Sequence, residues 1–329
     1  MSRIEKLIPL LSAAALLCKM AVAGEIKKVE EQIFKINPGA VVTIIGDAGS
    51  ISVNAWDKNE AQLTITKTVW HRSKSRAEEL MAELKIDISH TDQRLYIRQP
   101  EFHRHANFRF AEVFDSDRWQ DGVSIKVDFD LNLPREADLR IENDEGDVQI
   151  NGVSGEIRIR ADEGSVFLKD SKFRRLEIGA DEGDVVMESI GGLGADAYIT
   201  VDEGELRILD SQLATANFES DEGDIILKSL TLKDGDIRTD EGEIVVDVAL
   251  QKAGYCKLVT DEGDIRLVLP VDIDAEFSLE TSQGRIRSDF PLTIRNADAD
   301  GEDVEEVLGK GLVRIRAYTE NGDITIQKK

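Results

Sequence analysis

The tripeptide Asp-Glu-Gly recurs seven times in the second half of the chain, at intervals of 18 to 21 residues. Its copies are Asp144-Glu145-Gly146, Asp162-Glu163-Gly164, Asp181-Glu182-Gly183, Asp202-Glu203-Gly204, Asp221-Glu222-Gly223, Asp240-Glu241-Gly242 and Asp261-Glu262-Gly263. Degenerate copies follow at Ser282-Gln283-Gly284 and Glu320-Asn321-Gly322. Such a period is typical of repeat proteins, in which each repeat is one structural unit stacked on the next.

Apolar and polar residues alternate on both sides of each repeated glycine. Two residues after the glycine stand Val148, Val166, Val185, Leu206, Ile225, Ile244, Ile265, Ile286 and Ile324. The residues four after the glycine are also apolar, from Ile150 to Leu267, and Ser288 is the exception. A period of two predicts strands that bury one face, so each repeat supplies two short strands.

These features predict an all-β fold, a parallel β-solenoid with about two strands per coil. We assume a right-handed sense for the solenoid, which the repeat pattern itself does not determine. With coils ~4.8 Å apart, about ten coils form a rod of roughly 45 to 50 Å. We assign residues 141–329 to the repeat solenoid, with an acidic insertion at about 296–310. Residues 24–140 are the N-terminal cap and first solenoid layers. The final strand, Asp323 to Gln327, is expected to be an open edge that Lys328-Lys329 protects by charge.

The first half also contains one predicted short helix, near residues 75–85. Ser75 and Glu78 have the spacing of a capping box, and Ala77, Leu80 and Leu84 share one face.

The N-terminus has the pattern of a secretory signal peptide, residues 1–23. Basic residues precede an apolar stretch from Leu7 to Leu17, and Ala21-Val22-Ala23 provides small residues before a cleavage site. Lipidation of Cys18 is the alternative, but a leucine precedes Cys18 where lipoprotein signals have a small residue. No later segment has the roughly 20 apolar residues of a membrane span. We therefore expect an exported protein, periplasmic or at the cell surface, with no transmembrane segment in the mature chain.

The chain is strongly acidic, with 41 Lys and Arg against 65 Asp and Glu and a net charge of −24. Nucleic acid is therefore a poor partner, and an envelope or surface protein or a glycan is a better one. Cys256 is the only cysteine after residue 23. It occupies a repeat position filled elsewhere by Ile157, Leu176, Ala197 and Ala216, so we expect a small core residue and no disulfide.

Stacked coils would align the acidic residues of the triplets in two columns, which are candidate calcium sites because Ca²⁺ prefers flexible oxygen ligands. The candidates are Asp144, Glu145, Asp162, Glu163, Asp181, Glu182, Asp202, Glu203, Asp221, Glu222, Asp240, Glu241, Asp261 and Glu262. The simpler interpretation is a turn, in which glycine supplies positive φ and Asp bonds its own turn backbone, along a solvated acidic edge. No other cofactor is indicated.

An aromatic cluster is a candidate ligand patch for a glycan or a protein, or a plug over one end of the solenoid. It consists of Phe102, Phe108, Phe110, Phe114 and Trp119. We favour the plug.

Two weaker metal motifs are disfavoured. His103 and His105 lack a third ligand nearby. The stretch from Asn296 to Gly301 begins like a calcium loop, but its twelfth position is Val307 where a glutamate is required, which favours a solvated acidic loop.

The sequence has no Ser-His-Asp order, phosphate loop or zinc signature. Its carboxylates recur uniformly, whereas glycan-cleaving enzymes tune a few acids at one irregular site. A non-enzymatic protein is therefore expected. A polysaccharide lyase or hydrolase and a periplasmic partner in an envelope-stress pathway are the alternatives.

Three further motifs complete a resemblance to a known family. They are Gly-x-Ile-x-Val-x-x-Trp from Gly49 to Trp56, Leu-Pro-Arg from Leu133 to Arg135, and the repeated Gly-Asp-Ile-x-Leu units. The chain resembles the DUF4097 proteins, a family of adhesin-like β-strand-repeat proteins. The resemblance implies an extracytoplasmic solenoid with an adhesin-like or envelope-associated role and no catalytic residues.

Overall fold

The computed structural model describes residues 21–22, 24–100, 122–298 and 301–329. In these ranges the chain forms one helix, α1 (Lys74–Glu83), and 26 strands in one mixed sheet. The all-β class and the short helix are as predicted. The strands are β1 (Ala21–Val22), β2 (Glu25–Lys35), β3 (Ala40–Ala48), β4 (Ile51–Trp56), β5 (Glu60–Trp70), β6 (Asp87–Thr91), β7 (Arg94–Arg98), β8 (Ser124–Pro134), β9 (Ala137–Glu145), β10 (Val148–Asn151), β11 (Ser154–Glu163), β12 (Val166–Lys169), β13 (Lys172–Glu182), β14 (Val185–Glu188), β15 (Asp196–Glu203), β16 (Leu206–Leu209), β17 (Gln212–Glu222), β18 (Ile225–Glu241), β19 (Ile244–Glu262), β20 (Ile265–Leu269), β21 (Ala275–Gln283), β22 (Ile286–Ser288), β23 (Arg295–Asp298), β24 (Gly301–Leu308), β25 (Val313–Asn321) and β26 (Ile324–Lys328).

Equivalent residues of successive repeats lie side by side. Val148 of β10 pairs in parallel with Val166 of β12, which pairs with Val185 of β14. The alternating apolar residues are buried in one continuous core. Cys256 is fully buried among them, as expected, and burial raises the pKa of its thiol to about 12. The inward face of the solenoid was therefore predictable from the two-residue period alone.

The division of each coil into two strands fails in two repeats. β18 and β19 each span a whole repeat without a break, whereas the next repeat is again divided, into β20 and β21. Two strands per coil would require a turn near Lys233 to Gly235, but the chain instead shifts in register within β18, between Leu232 and Asp234. Parallel pairing on both sides keeps the chain extended there.

The N-terminal part departs from parallel stacking. β5 pairs antiparallel with both β2 and β8, and β6 and β7 form an antiparallel hairpin. β3 and β4 then join this part to the repeats, because they pair in parallel with β9 and β10. The sheet is therefore mixed, and the expectation of a wholly parallel solenoid is corrected at this end.

At the C-terminal end the order of the coils in space differs from their order in sequence. β25 lies between β19 and β21, and β26 lies between β20 and β22. The prediction that the final strand is an open edge is therefore wrong. The intervening chain, including the antiparallel pair β23 and β24, gives β25 enough length to return into this gap.

A single carboxylate holds the chain where it returns. Asp274 Oδ1 accepts hydrogen bonds from the backbone N–H groups of Lys310 (2.7 Å) and Leu312 (3.0 Å). The backbone bond from Leu312 is the main cause that lowers the pKa of Asp274. The start of β25 is thus fixed beside β21.

Helix α1 packs against β2 and β5 and buries Ala77 and Leu80. Its N-cap is Ser73, which makes no side-chain cap hydrogen bond, so the capping box predicted from Ser75 is wrong: Ser75 lies within the helix. At the other end, the buried Lys67 Nζ donates to the backbone carbonyl of Leu84 (3.0 Å) and contacts Glu30 (3.1 Å). Of the helices in the described ranges, none is both long and apolar enough to cross a membrane.

Candidate functional site

The glycines of the seven triplets line up in one column of turns, and all have positive φ, as predicted. Gly223 shows why no other residue fits. Its φ is 149°, and an added Cβ would lie 2.1 Å from the carbonyl oxygen of Gly204. Its N–H donates to the carbonyl of Glu241 in the next coil (2.8 Å). The degenerate Gly284 and Gly322 lack positive φ, yet a Cβ there would meet a backbone oxygen at 2.0 Å.

The residue after the glycine joins neighbouring turns through its side chain. Asp224 Oδ1 accepts from the N–H of Glu243 (2.8 Å), and Asp264 Oδ1 accepts from the N–H of Asp323 (2.8 Å). These bonds run from one coil to the next, a role that sequence reasoning did not assign to this position. The turn chemistry therefore holds the stack together.

In some repeats a buried polar residue three before the glycine donates a hydrogen bond to a turn carbonyl. The hydroxyls of Thr239, Thr260 and Thr319 donate to the glycine carbonyl of the neighbouring coil at 3.0, 3.1 and 2.9 Å. In the first triplet Asn143 donates its amide to the carbonyl of Gly146 (2.7 Å). The turn oxygens of Gly146, Gly223, Gly242 and Gly263, of the kind that a calcium ion would require, are thus hydrogen-bonded within the protein. The second, third and fourth triplets have Ala161, Ala180 and Val201 at this position, which cannot donate.

The candidate calcium residues form the predicted columns. The Glu residues pair in register from Glu145 through Glu163 to Glu182 and onward to Glu262, and their side chains are exposed. The Asp residues are half-buried in the first three triplets and exposed in the rest. Arg160 contacts Asp162 (3.3 Å) and Asp181 (3.9 Å). In the described part of the chain, no group of three or more His, Cys, Asp or Glu residues is arranged to hold a metal ion.

Several sequence candidates lie outside the described residues. They are Cys18, Phe102, His103, His105, Phe108, Phe110, Phe114 and Trp119. The segment compared with a calcium loop begins the β23–β24 hairpin, where the amide of Asn296 donates to the carboxylate of Asp303.

The structure contains a groove that sequence reasoning missed, on the outer face of β9, β11, β13 and β15. Its volume is about 460 Å³. Alternate residues of these strands face outward, and they line the groove with Arg140, Glu142, Arg158, Arg160, Glu177, Gly179, Tyr198 and Thr200. We call it the arginine groove. The sequence signal that could have indicated it is a glycine at an outward strand position.

Ion pairs and ring stacking fix the walls of the arginine groove. Arg158 Nε lies 2.9 Å from Glu177 Oε2, and the guanidinium of Arg175 lies 4.7 Å from the ring centroid of Tyr198. The hydrogen bond to Asp162 raises the pKa of Arg160. Arg140 has no ion-pair partner among the residues that the structure describes. A guanidinium with free donors thus stands at one end of a fixed surface.

Comparisons with known proteins give one family and matching solved structures, among them the following two. A "putative adhesin" from Parabacteroides merdae is 11% identical, with a TM-score of 0.47, over 91% of this chain and 96% of that chain. A "putative lipid binding protein" from Parabacteroides distasonis is 13% identical, with a TM-score of 0.44, over 91% and 96%. No curated protein is significantly similar. The family model described as Toastrack DUF4097 matches residues 43–327, and the chain therefore belongs to the DUF4097 family.

Proposed function

We propose that the protein is an exported, non-enzymatic binding protein of the cell envelope or surface, with an adhesin-like role. The observation that carries this proposal is the register of the coils, which turns outward side chains into columns on open sheet faces. Polar groups at the turns are engaged in bonds between coils, as Thr260 and Asp224 show. Such a framework suits contact with an extended partner better than tuned acid–base chemistry.

The proposal also includes three predictions from the sequence: export of the chain, an N-terminal cap on the solenoid, and an acidic edge. Residues 1–23 direct the chain out of the cytoplasm, and residues 24–140 cap one end of a right-handed solenoid. The acidic edge formed by the triplets keeps nucleic acid away and attracts a diffuse cation cloud. Specific calcium binding by the triplet carboxylates is the alternative to this cation cloud.

The test is a combined binding and turnover experiment on the mature chain, residues 24–329. Immobilised protein is exposed to envelope extracts and to uronate and neutral glycans, with urea-unfolded protein as the control. We expect retention of an envelope protein or glycan by the folded chain, without release of cleaved products. Catalytic product release would overturn the non-enzymatic assignment, and the absence of retention would overturn the binding role.

A further inference from the structure

Gly179 is the one glycine that the fold does not explain. Of the 25 glycines in the chain, 24 have positive φ or a heavy atom close to the place where a Cβ would lie. Gly179 has neither, since its φ is not positive and nothing lies within 4 Å of an added Cβ. A glycine inside a strand weakens the strand and often marks a place where a ligand approaches the backbone.

The missing side chain opens the floor of the arginine groove. Gly179 pairs with Arg160 on one side and Thr200 on the other, so it interrupts a column of outward side chains. The neighbouring core residues Ile159 and Ile178 are each 4% exposed, whereas Phe218 and Ile237 at the same repeat position are 0% exposed. Bare backbone and a little apolar surface are therefore reachable from solvent at Gly179.

The sides of the floor combine cationic and aromatic groups with two carboxylates, Glu142 and Glu177, of which Glu177 is paired with Arg158. Arg140 and Arg158 are neighbours on adjacent paired strands, and Arg160 follows two residues after Arg158 on the same face. Guanidinium groups bind carboxylates and sulfates through paired N–H donors. Beyond Gly179, the Tyr198 ring is held by Arg175. The net charge of −24 repels polyanions from the molecule as a whole, so recognition of an anion requires such a local site.

We propose that the arginine groove binds an acidic polysaccharide, with its carboxylate or sulfate groups on Arg140, Arg158 and Arg160 and a sugar ring over Gly179 against Tyr198. This inference rests on the proposed binding function and names its ligand class. The open groove suits a segment of a linear polymer. An acidic peptide fits less well, because extended peptides add to the edges of sheets, whereas this groove lies on a face where every strand is paired on both sides.

Calorimetric titration of the mature chain tests the proposal. The probes are a heparin-derived sulfated oligosaccharide and an oligogalacturonate, with a neutral cello-oligosaccharide and oligoglutamate as comparisons. Binding of either acidic saccharide, but of neither comparison, is expected. Gly179→Thr fills the floor, and Arg140→Gln removes a guanidinium that has no described ion pair. Each is expected to weaken binding about tenfold or more.

Arg316→Gln is the matched control, because Arg316 belongs to the same column of outward residues but lies far from the groove, on β25. It should bind like the original chain. Gly179→Thr should leave the melting temperature unchanged or raise it, which separates loss of the site from loss of the fold.

Three results would overturn the inference: no binding of acidic saccharides, unchanged binding by Gly179→Thr, or tighter binding of oligoglutamate. Retention of a different envelope ligand in the wider screen, together with any of these results, would leave the proposed binding function standing and remove only this ligand class.

Discussion

Among single residues, the turn glycines are the least replaceable. Each combines positive φ with a neighbouring coil close to its Cα, as Gly204, Gly223 and Gly242 show. The Glu residues beside them are exposed, and the Asp residues are exposed or half-buried, so both have more freedom to vary. The tripeptide that dominates the sequence therefore contains one residue under strict steric control and two that shape the surface.

We predict that Gly223→Ala destabilises the protein by roughly 2 kcal/mol or more, because the new Cβ meets the Gly204 carbonyl and the backbone has a left-handed φ. Gly179→Ala is the matched control and should not destabilise, since its Cβ enters open space. Urea unfolding of both variants measures the difference. Equal stabilities would contradict the steric account of the turn column.

At the scale of secondary-structure elements, the end of α1 is held by the buried, charged side chain of Lys67. Lys67 is 5% exposed and links the end of the helix to Glu30 on β2. Burial raises the pKa of Glu30, but hydrogen bonds from Lys28 and Lys67 outweigh burial and lower the pKa below its ordinary value of 4.5.

Lys67→Met should therefore lower the free energy of unfolding by about 1 to 3 kcal/mol, because two hydrogen bonds involving a charged group are lost. A lowered pKa contributes stability above pH 4.5, and this contribution is lost as pH falls through the lowered value. The difference between the original chain and the variant should therefore shrink as the pH falls below 4.5. Thermal melting from neutral to acidic pH measures it, with the exposed Lys126→Met as control. A constant difference would refute the Glu30 linkage.

The acidic edge provides a second prediction at this scale. Its glutamates are exposed, and turn carbonyls such as those of Gly223 and Gly242 already accept bonds from threonines. We therefore expect calcium and magnesium to bind weakly and to raise the melting temperature alike. Calorimetry with both ions measures this. Tight binding of calcium alone would show that the triplet carboxylates form specific sites.

For the whole molecule, the unexpected feature is the coil inserted at the C-terminal end. Asn321 lies between Glu262 and Gln283 in register. In a Cys256→Ala background, Glu262→Cys with Asn321→Cys should form a disulfide on mild oxidation, because adjacent strands are ~4.8 Å apart. Glu262→Cys with Gln283→Cys should not, since β25 separates them. Mass spectrometry distinguishes the two, and the opposite pattern would restore the sequential order of coils.

The repeat pattern predicted the core well because period and burial follow from local geometry. Val148 and Cys256 are buried as their positions indicated. The order of the coils could not be predicted, because exchanging two coils leaves the alternation of apolar and polar residues in each strand unchanged. Only the long segment before Val313 gives the chain the length that the observed order requires. The arginine groove was missed for a similar reason: Arg140 and Gly179 are 39 residues apart and meet only through strand register.

The central claim is that this rod binds its ligand on an outer sheet face. Hydroxyl-radical footprinting with the sulfated oligosaccharide tests it most directly, because the four tyrosines of the chain are all half-buried and serve as mutual controls. We expect the oligosaccharide to protect Tyr198 from oxidation and to leave the oxidation of Tyr96, Tyr255 and Tyr318 unchanged. Protection of any other tyrosine with Tyr198 unaffected would contradict it.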